Sequence, residues 1–243
     1  MSDVNNPIDK LTVILAFLTC LHPWAAGAEE DNAFPRMPVD AKTLRVQDQA
    51  EEVYERTDYK RAFFIYRNEL APIGDKYGQY MVGFMYLTGK GVEEDRVAGS
   101  AWYRLAAERG TKEFVGARDG LMATLDAEEK ALSDSLFLEL RKQYGDLVLM
   151  VRALRHERKL LDARTGSRAS SSDVMPMTVI STDRSGSRTT TGADYYGRIE
   201  RRMQARLDFI QSRTRIEISD ANVMTLDLDS IEQQVSEHLN ELD

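Results

Sequence analysis

Residues 77–110 read YGQYMVGFMYLTGKGVEEDRVAGSAWYRLAAERG, the pattern of a helical hairpin. Two runs of helical composition flank a Gly-x-Gly-Val turn. Gly89 and Gly91 stand where the backbone must take a positive φ, which only glycine adopts at low cost. Val92 follows as an apolar plug, and Asp95 is placed to cap the second helix. Small residues Gly78, Gly83, Gly99, Ala106 and Ala107 permit close approach, while Tyr86, Trp102 and Tyr103 fill the space between the helices. A hairpin of this size cannot bury its apolar faces alone, so the pattern predicts stacked neighbours in an all-α solenoid.

The same residues carry a family likeness. The pattern V-G-x-x-Y-x-x-G-x-G-V-x-x-D-x-x-x-x-x-x-W-Y-x-x-A-A-E-x-G is met by Val82, Gly83, Tyr86, Gly89, Gly91, Val92, Asp95, Trp102, Tyr103, Ala106, Ala107, Glu108 and Gly110. In this the chain resembles the Sel1-like repeat, a relative of the tetratricopeptide repeat. The resemblance implies a short right-handed α/α solenoid acting as an assembly platform. The family usually has alanine where Gly78 and Gly99 stand. By helix propensity those glycines should loosen both helices by about 1 kcal/mol each.

Upstream, DYKRAFFIYRNELAPIGD at 58–75 resembles the second helix of a degenerate preceding repeat, with Ile65 and Tyr66 at the Trp-Tyr positions. One extra residue before Gly74 breaks the spacing. A helix over about 41–56 precedes it. Downstream, ARDGLMATLDAEEKALSDSLFLEL at 117–140 resembles the half-repeat that closes such arrays. There Asp126 replaces the glycine turn as a cap, with Glu129 in capping-box spacing. A last helix over 147–163 completes a repeat domain at 41–163.

The flanks differ in composition. Residues 1–28 hold the apolar run LTVILAFLTCL and then Ala26-Gly27-Ala28, which read as a secretory signal cut after Ala28. The run is shorter than the roughly 20 apolar residues that span a bilayer. Its Cys20 is the single cysteine of the chain, so the mature protein can form no disulfide. The expected location is the periplasm. Residues 29–40 read as a flexible lead-in. Residues 164–194 are rich in Ser, Thr, Gly and Arg and read as a linker with one extended patch at 177–181. Residues 195–243 form a helical extension, a basic helix followed by an acidic tail. Ser230 with Gln233 is placed to start the last helix.

Chemistry is sparse. The formal net charge of −8 argues against general nucleic-acid binding. The three histidines, His22, His156 and His238, form no metal-ligand spacing, and no nucleophile motif appears. The expectation is therefore a protein without catalytic, cofactor or metal site. It would bind another envelope protein as scaffold or adaptor, with a peptidoglycan- or polysaccharide-binding module and a cell-wall-acting enzyme as alternatives. Contact residues are expected at Gln79, Tyr80, Phe84 and Thr88, on the concave face that the first helix of each hairpin lines in such repeats. Arg198, Arg202 and Arg206 are further candidates, for an acidic partner, a glycan or a membrane surface.

Overall fold

The computed structural model describes residues 34–35, 41–165, 178–183, 186–214, 216, 223 and 225–241. The expected signal at 1–28 and most of the lead-in lie outside the described residues. The fold is helical. In order come α1 (Ala41–Glu55), α2 (Tyr59–Ile65), α3 (Lys76–Thr88), α4 (Arg96–Ala106), α5 (Lys112–Met122), α6 (Ala127–Tyr144) and α7 (Asp146–Thr165), then α8 (Gly192–Arg213) and α9 (Leu228–Asn240). Among the described residues, no helix is long and apolar enough to cross a membrane.

The helices up to α6 follow one another as pairs with the same punctuation. An aspartate caps the second member of each pair. Asp58 accepts from the Arg61 amide at 3.3 Å, Asp95 from Ala98 at 2.9 Å, and Asp126 from Glu129 at 2.9 Å. Glu129 returns a bond to the Asp126 amide at 3.0 Å, closing a capping box. Glycine closes each pair, at Gly74, Gly110 and Gly145. These closing glycines stand 36 and 35 residues apart.

In the central pair, Gly89 and Gly91 take φ of 63° and 78°. A Cβ on Gly91 would lie 2.2 Å from the Tyr59 carbonyl oxygen, so the turn is pressed onto the start of α2. The helix pair itself is packed backbone to ring. A Cβ on Gly83 would lie 2.6 Å from the Tyr103 ring, and one on Gly99 would lie 2.6 Å from Leu87 Cγ and 3.1 Å from the Gly83 carbonyl oxygen. Gly78 is equally tight against Leu70 Cβ, at 2.8 Å. The expectation that Gly78 and Gly99 loosen their helices is therefore corrected. These positions exclude a side chain because neighbours occupy its place.

The extra residue upstream of Gly74 is absorbed locally. After α2 the chain makes one π-helical turn at Tyr66–Leu70, then a 3₁₀ turn at Ala71–Ile73 that ends on Gly74. A π turn accommodates an inserted residue without ending the helix, so Ile65 and Tyr66 stay buried while the register shifts. Asn68 Nδ2 donates to the Phe64 carbonyl at 2.9 Å across this distortion.

Two apolar clusters are formed by the described residues. One gathers α1 to α4 and α6 around Tyr66, Leu70, Met85, Trp102 and Leu105. The other gathers α7, α8 and α9 around Met150, Leu154, Leu161, Ile199, Met203, Leu207 and Ile231. The helix read as the end of the repeat domain thus shares its core with the extension. Phe34 touches both sides of the seam. Its ring lies 5.3 Å from that of Phe209, edge to face, and the Arg109 guanidinium stacks 3.6 Å above it. That point of the lead-in, expected to be flexible, is packed.

The segment expected as a linker contains an antiparallel hairpin. Strands β1 (Thr178–Asp183) and β2 (Gly186–Thr191) pair Thr178 with Thr191 and Asp183 with Gly186. The β-branched content of TVISTD and of Thr189 to Thr191 favours strand. Residues 166–177, including most of the Ser-rich run, lie outside the described residues. Thr191 then caps α8 by accepting from the Asp194 amide at 3.1 Å. The last helix is capped by Asp227, which accepts from Asp229 and Ser230, rather than started at Ser230.

Candidate functional site

Of the residues expected on a concave face, three are buried. Helix α3 is enclosed continuously from Gly78 to Met85, because α4 lies on one side and the α2–π segment on another, while Phe114 of α5 and the Tyr144 carbonyl at the end of α6 reach its remaining face. Gln79 is fully buried. Its Nε2 donates to the Ala71 carbonyl at 3.2 Å and to the Tyr144 carbonyl at 3.4 Å, and its Oε1 accepts from Lys76 at 3.1 Å. Tyr80 stacks on Tyr103 with centroids 4.8 Å apart and planes at 6°, and Phe114 of α5 stacks on its other side at 5.4 Å. Burial pushes both tyrosine hydroxyls above their ordinary pKa of 10.0. Phe84 lies under Lys90, whose ammonium sits 5.0–5.5 Å from the Tyr54, Tyr59 and Phe84 rings and donates to Tyr54 Oη at 2.8 Å. The Gly89-Lys90-Gly91 turn is thus clamped by a cation–π cage. Thr88, half-buried, donates to the Phe84 carbonyl at 2.9 Å and finishes its own helix. Gln79, Tyr80 and Phe84 are core groups, not an open contact surface.

The arginines of α8 are divided in the same way. Arg206 is fully buried and makes a two-pronged pair from Nη1 to Glu157 of α7, at 3.0 and 2.8 Å. Burial pushes its pKa below the ordinary guanidinium value, against the pull of the Glu157 carboxylate. Arg202 Nε, half-buried, donates to the same carboxylate at 2.8 Å. Only Arg198 of the three faces outward, beside exposed Arg201. The basic helix therefore docks through charge on α7 and is not a continuous basic face. The acidic tail is also held by α7, where Arg155 bonds Asp229 at 2.6 Å and also reaches Glu232.

A second ionic network, invisible in the sequence, lies where α3, α4, α6 and α7 meet. Lys76, nearly buried, donates from Nζ to the Leu105 carbonyl at 2.9 Å and to Glu108 at 3.0 Å, and pairs with Asp146 at 3.1 Å. Arg109 donates to both Asp146 oxygens, at 3.2 and 3.0 Å, and to the Gly74 carbonyl at 3.1 Å. Arg141 Nε meets the other Glu108 oxygen at 3.3 Å. Burial alone would raise the Asp146 carboxyl, but Lys76 and Arg109 hold it below the ordinary aspartate value of 3.8. Three cations thus share two carboxylates.

Above this network lies an open groove of about 330 Å³, lined by Arg104, Ala107, Glu108, Arg118, Phe137 and Arg141. Helices α4, α5 and α6 each contribute an arginine. Arg104 stacks its guanidinium 4.3 Å from the Phe137 ring and pairs with Asp134. Arg118 pairs with its neighbour Asp119 at 2.8 Å. These arginines are scattered in sequence, and their only common signal is a basic residue on each of three successive helices. Among the described residues, no group of three or more His, Cys, Asp or Glu side chains is arranged to hold a metal ion.

No family model matches this chain, and no curated protein or solved structure matches it either.

Proposed function

We propose that this protein is a non-catalytic interaction module, a short right-handed α/α solenoid of Sel1-like hairpins that binds a partner protein in the bacterial cell envelope. The observation that carries the reading is the repeated aspartate cap and closing glycine of three successive helix pairs, centred on the Gly-x-Gly turn of α3 and α4. Helical pairs stacked in this way present extended surfaces suited to holding other proteins. Export rests on the apolar run and small residues of positions 11–28.

The buried state of Tyr80 and Phe84 on α3 and of Tyr103 on α4 counts against a sugar-stacking platform on this hairpin. Glu108, which lines the groove, and Asp146 in the network beneath it are occupied by Lys76, Arg109 and Arg141, which supports a binding role over acid–base work.

The test is crosslinking of the full-length protein in intact cells of its native host, followed by isolation of the envelope fraction. A discrete protein partner, recovered reproducibly, is the expected result. Crosslinks confined to purified cell-wall sacculi would instead make the protein a glycan-binding module.

A further inference from the structure

The groove between α4, α5 and α6 has an electrostatic character opposite to that of the whole chain. The chain carries a formal net charge of −8, yet Arg104, Arg118 and Arg141 line this one cleft. Their acidic partners do not cancel the field completely. Asp134 and Asp119 sit largely in solvent, 57% and 61% exposed, where water screens them. Glu108 serves Lys76 and Arg141 together, and Asp146 serves Lys76 and Arg109. Across the groove and its supporting network the cations exceed the carboxylates by one.

Each guanidinium is held by a contact that leaves donors over. Arg104 engages Asp134 through Nη1, and Arg141 engages Glu108 through Nε. A guanidinium has five N–H donors in a rigid fork that matches a carboxylate. Phe137, half-buried beneath Arg104, and Ala107 add an apolar floor. A cleft of this volume is at the lower end of ligand-sized sites, large enough for a few side chains. A single excess positive charge suits singly charged carboxylates better than a polyanion, which needs many cations for its phosphates.

From these features we infer that the groove receives an acidic peptide segment of a partner protein, with a glutamate or aspartate between Arg104, Arg118 and Arg141 and an apolar neighbour on Phe137. This deepens the interaction-module reading and rests on it. Arg118 is the anchor to test, because it lies outside the Lys76 network and its loss leaves that network intact.

The experiment is fluorescence anisotropy with the full-length protein and a short labelled peptide alternating glutamate and leucine, with a lysine–leucine peptide as control. Saturable binding of the acidic peptide alone is expected, weakened about tenfold or more by Arg118→Glu. The charge-matched Arg201→Glu, on the exposed side of α8, should bind as the parent does, and both variants should keep the parent's far-ultraviolet circular dichroism. No saturable binding, equal weakening by both variants, or full displacement by millimolar inorganic phosphate at constant ionic strength would overturn the proposal. Repeating the cellular crosslinking with Arg118→Glu separates the two readings. A partner captured equally by parent and variant removes the groove but keeps the interaction module, whereas no partner for the parent removes both.

Discussion

Gly99 of α4 faces Leu87 and the Gly83 carbonyl of α3, and its replacement tests whether propensity or packing governs the hairpin. Alanine would gain about 1 kcal/mol of helix propensity. It would also place a Cβ 2.6 Å from Leu87 Cγ and 3.1 Å from the Gly83 carbonyl oxygen, and overpacking of this kind costs about 1–3 kcal/mol. Gly99→Ala should therefore lower stability by about 1 kcal/mol in urea denaturation, and a stabilised variant would show that the helices separate freely. Lys90 offers a second test at this scale. Lys90→Met keeps most of the side-chain volume but removes the ammonium from its three rings and from Tyr54 Oη. A loss of about 1–2 kcal/mol is expected, read from the same unfolding curves. The need for glycine at 89 and 91 was legible from local backbone rules. The caging of Lys90 was not, because Tyr54 and Tyr59 reach it only once α1 and α2 pack beside the turn.

At the scale of elements, α7 and α8 are joined by a buried charge. Glu157 and Arg206 are 2% and 0% exposed, and Arg202 shares the carboxylate. Glu157→Gln would leave Arg206 buried without a counter-charge, a change that typically costs about 3–5 kcal/mol. Thermal unfolding of this variant should show a large drop in midpoint, and a shift of only a degree or two would mean that the pair is solvated. The amphipathic period of α8 was readable in Ile199, Met203, Leu207 and Ile210, all of them buried. Its polar face was not readable, since a basic residue looks the same in sequence whether it meets solvent or a carboxylate on another helix. The π turn at Tyr66–Leu70 is the converse case. The sequence announced an extra residue, and the helix accommodated it within one turn.

Taken as a whole, the molecule does not divide at the Ser-rich stretch. Helix α7 offers Leu147, Met150, Val151, Leu154 and Leu161 to α8 and α9. Removal of residues 192–243 should expose these side chains, giving strong binding of a hydrophobic dye and aggregation. A truncated protein that stays monomeric with native helicity would show that the extension is an independent appendage. Acid stability also belongs to this scale, because Asp146 ties α7 to α3 and to Arg109. Its folded pKa lies below the ordinary 3.8, so unfolding takes up a proton and stability rises with pH through this window. The contribution is complete above about pH 4 and is lost as pH falls through the folded value. The stability difference between parent and Asp146→Asn should therefore shrink below that pH, and a difference constant from pH 6 to 2 would show no linkage at this carboxylate.

Features that depend on neighbours in the chain were legible from the amino acids alone. The helical composition, the positive-φ glycines at 89 and 91, the caps at Asp58, Asp95 and Asp126, and the apolar period of α8 all follow from contacts within about one turn. Which of these surfaces remain open depends instead on how the helices pack. Gln79, Tyr80 and Phe84 stand at positions expected to line an open face, but α3 is wrapped on several sides and they become core. Arg104, Arg118 and Arg141 carry no common motif, and converge because three helices bring them to one cleft. Burial and charge convergence are sums over residues distant in sequence, and no local spacing encodes them until the helices have packed.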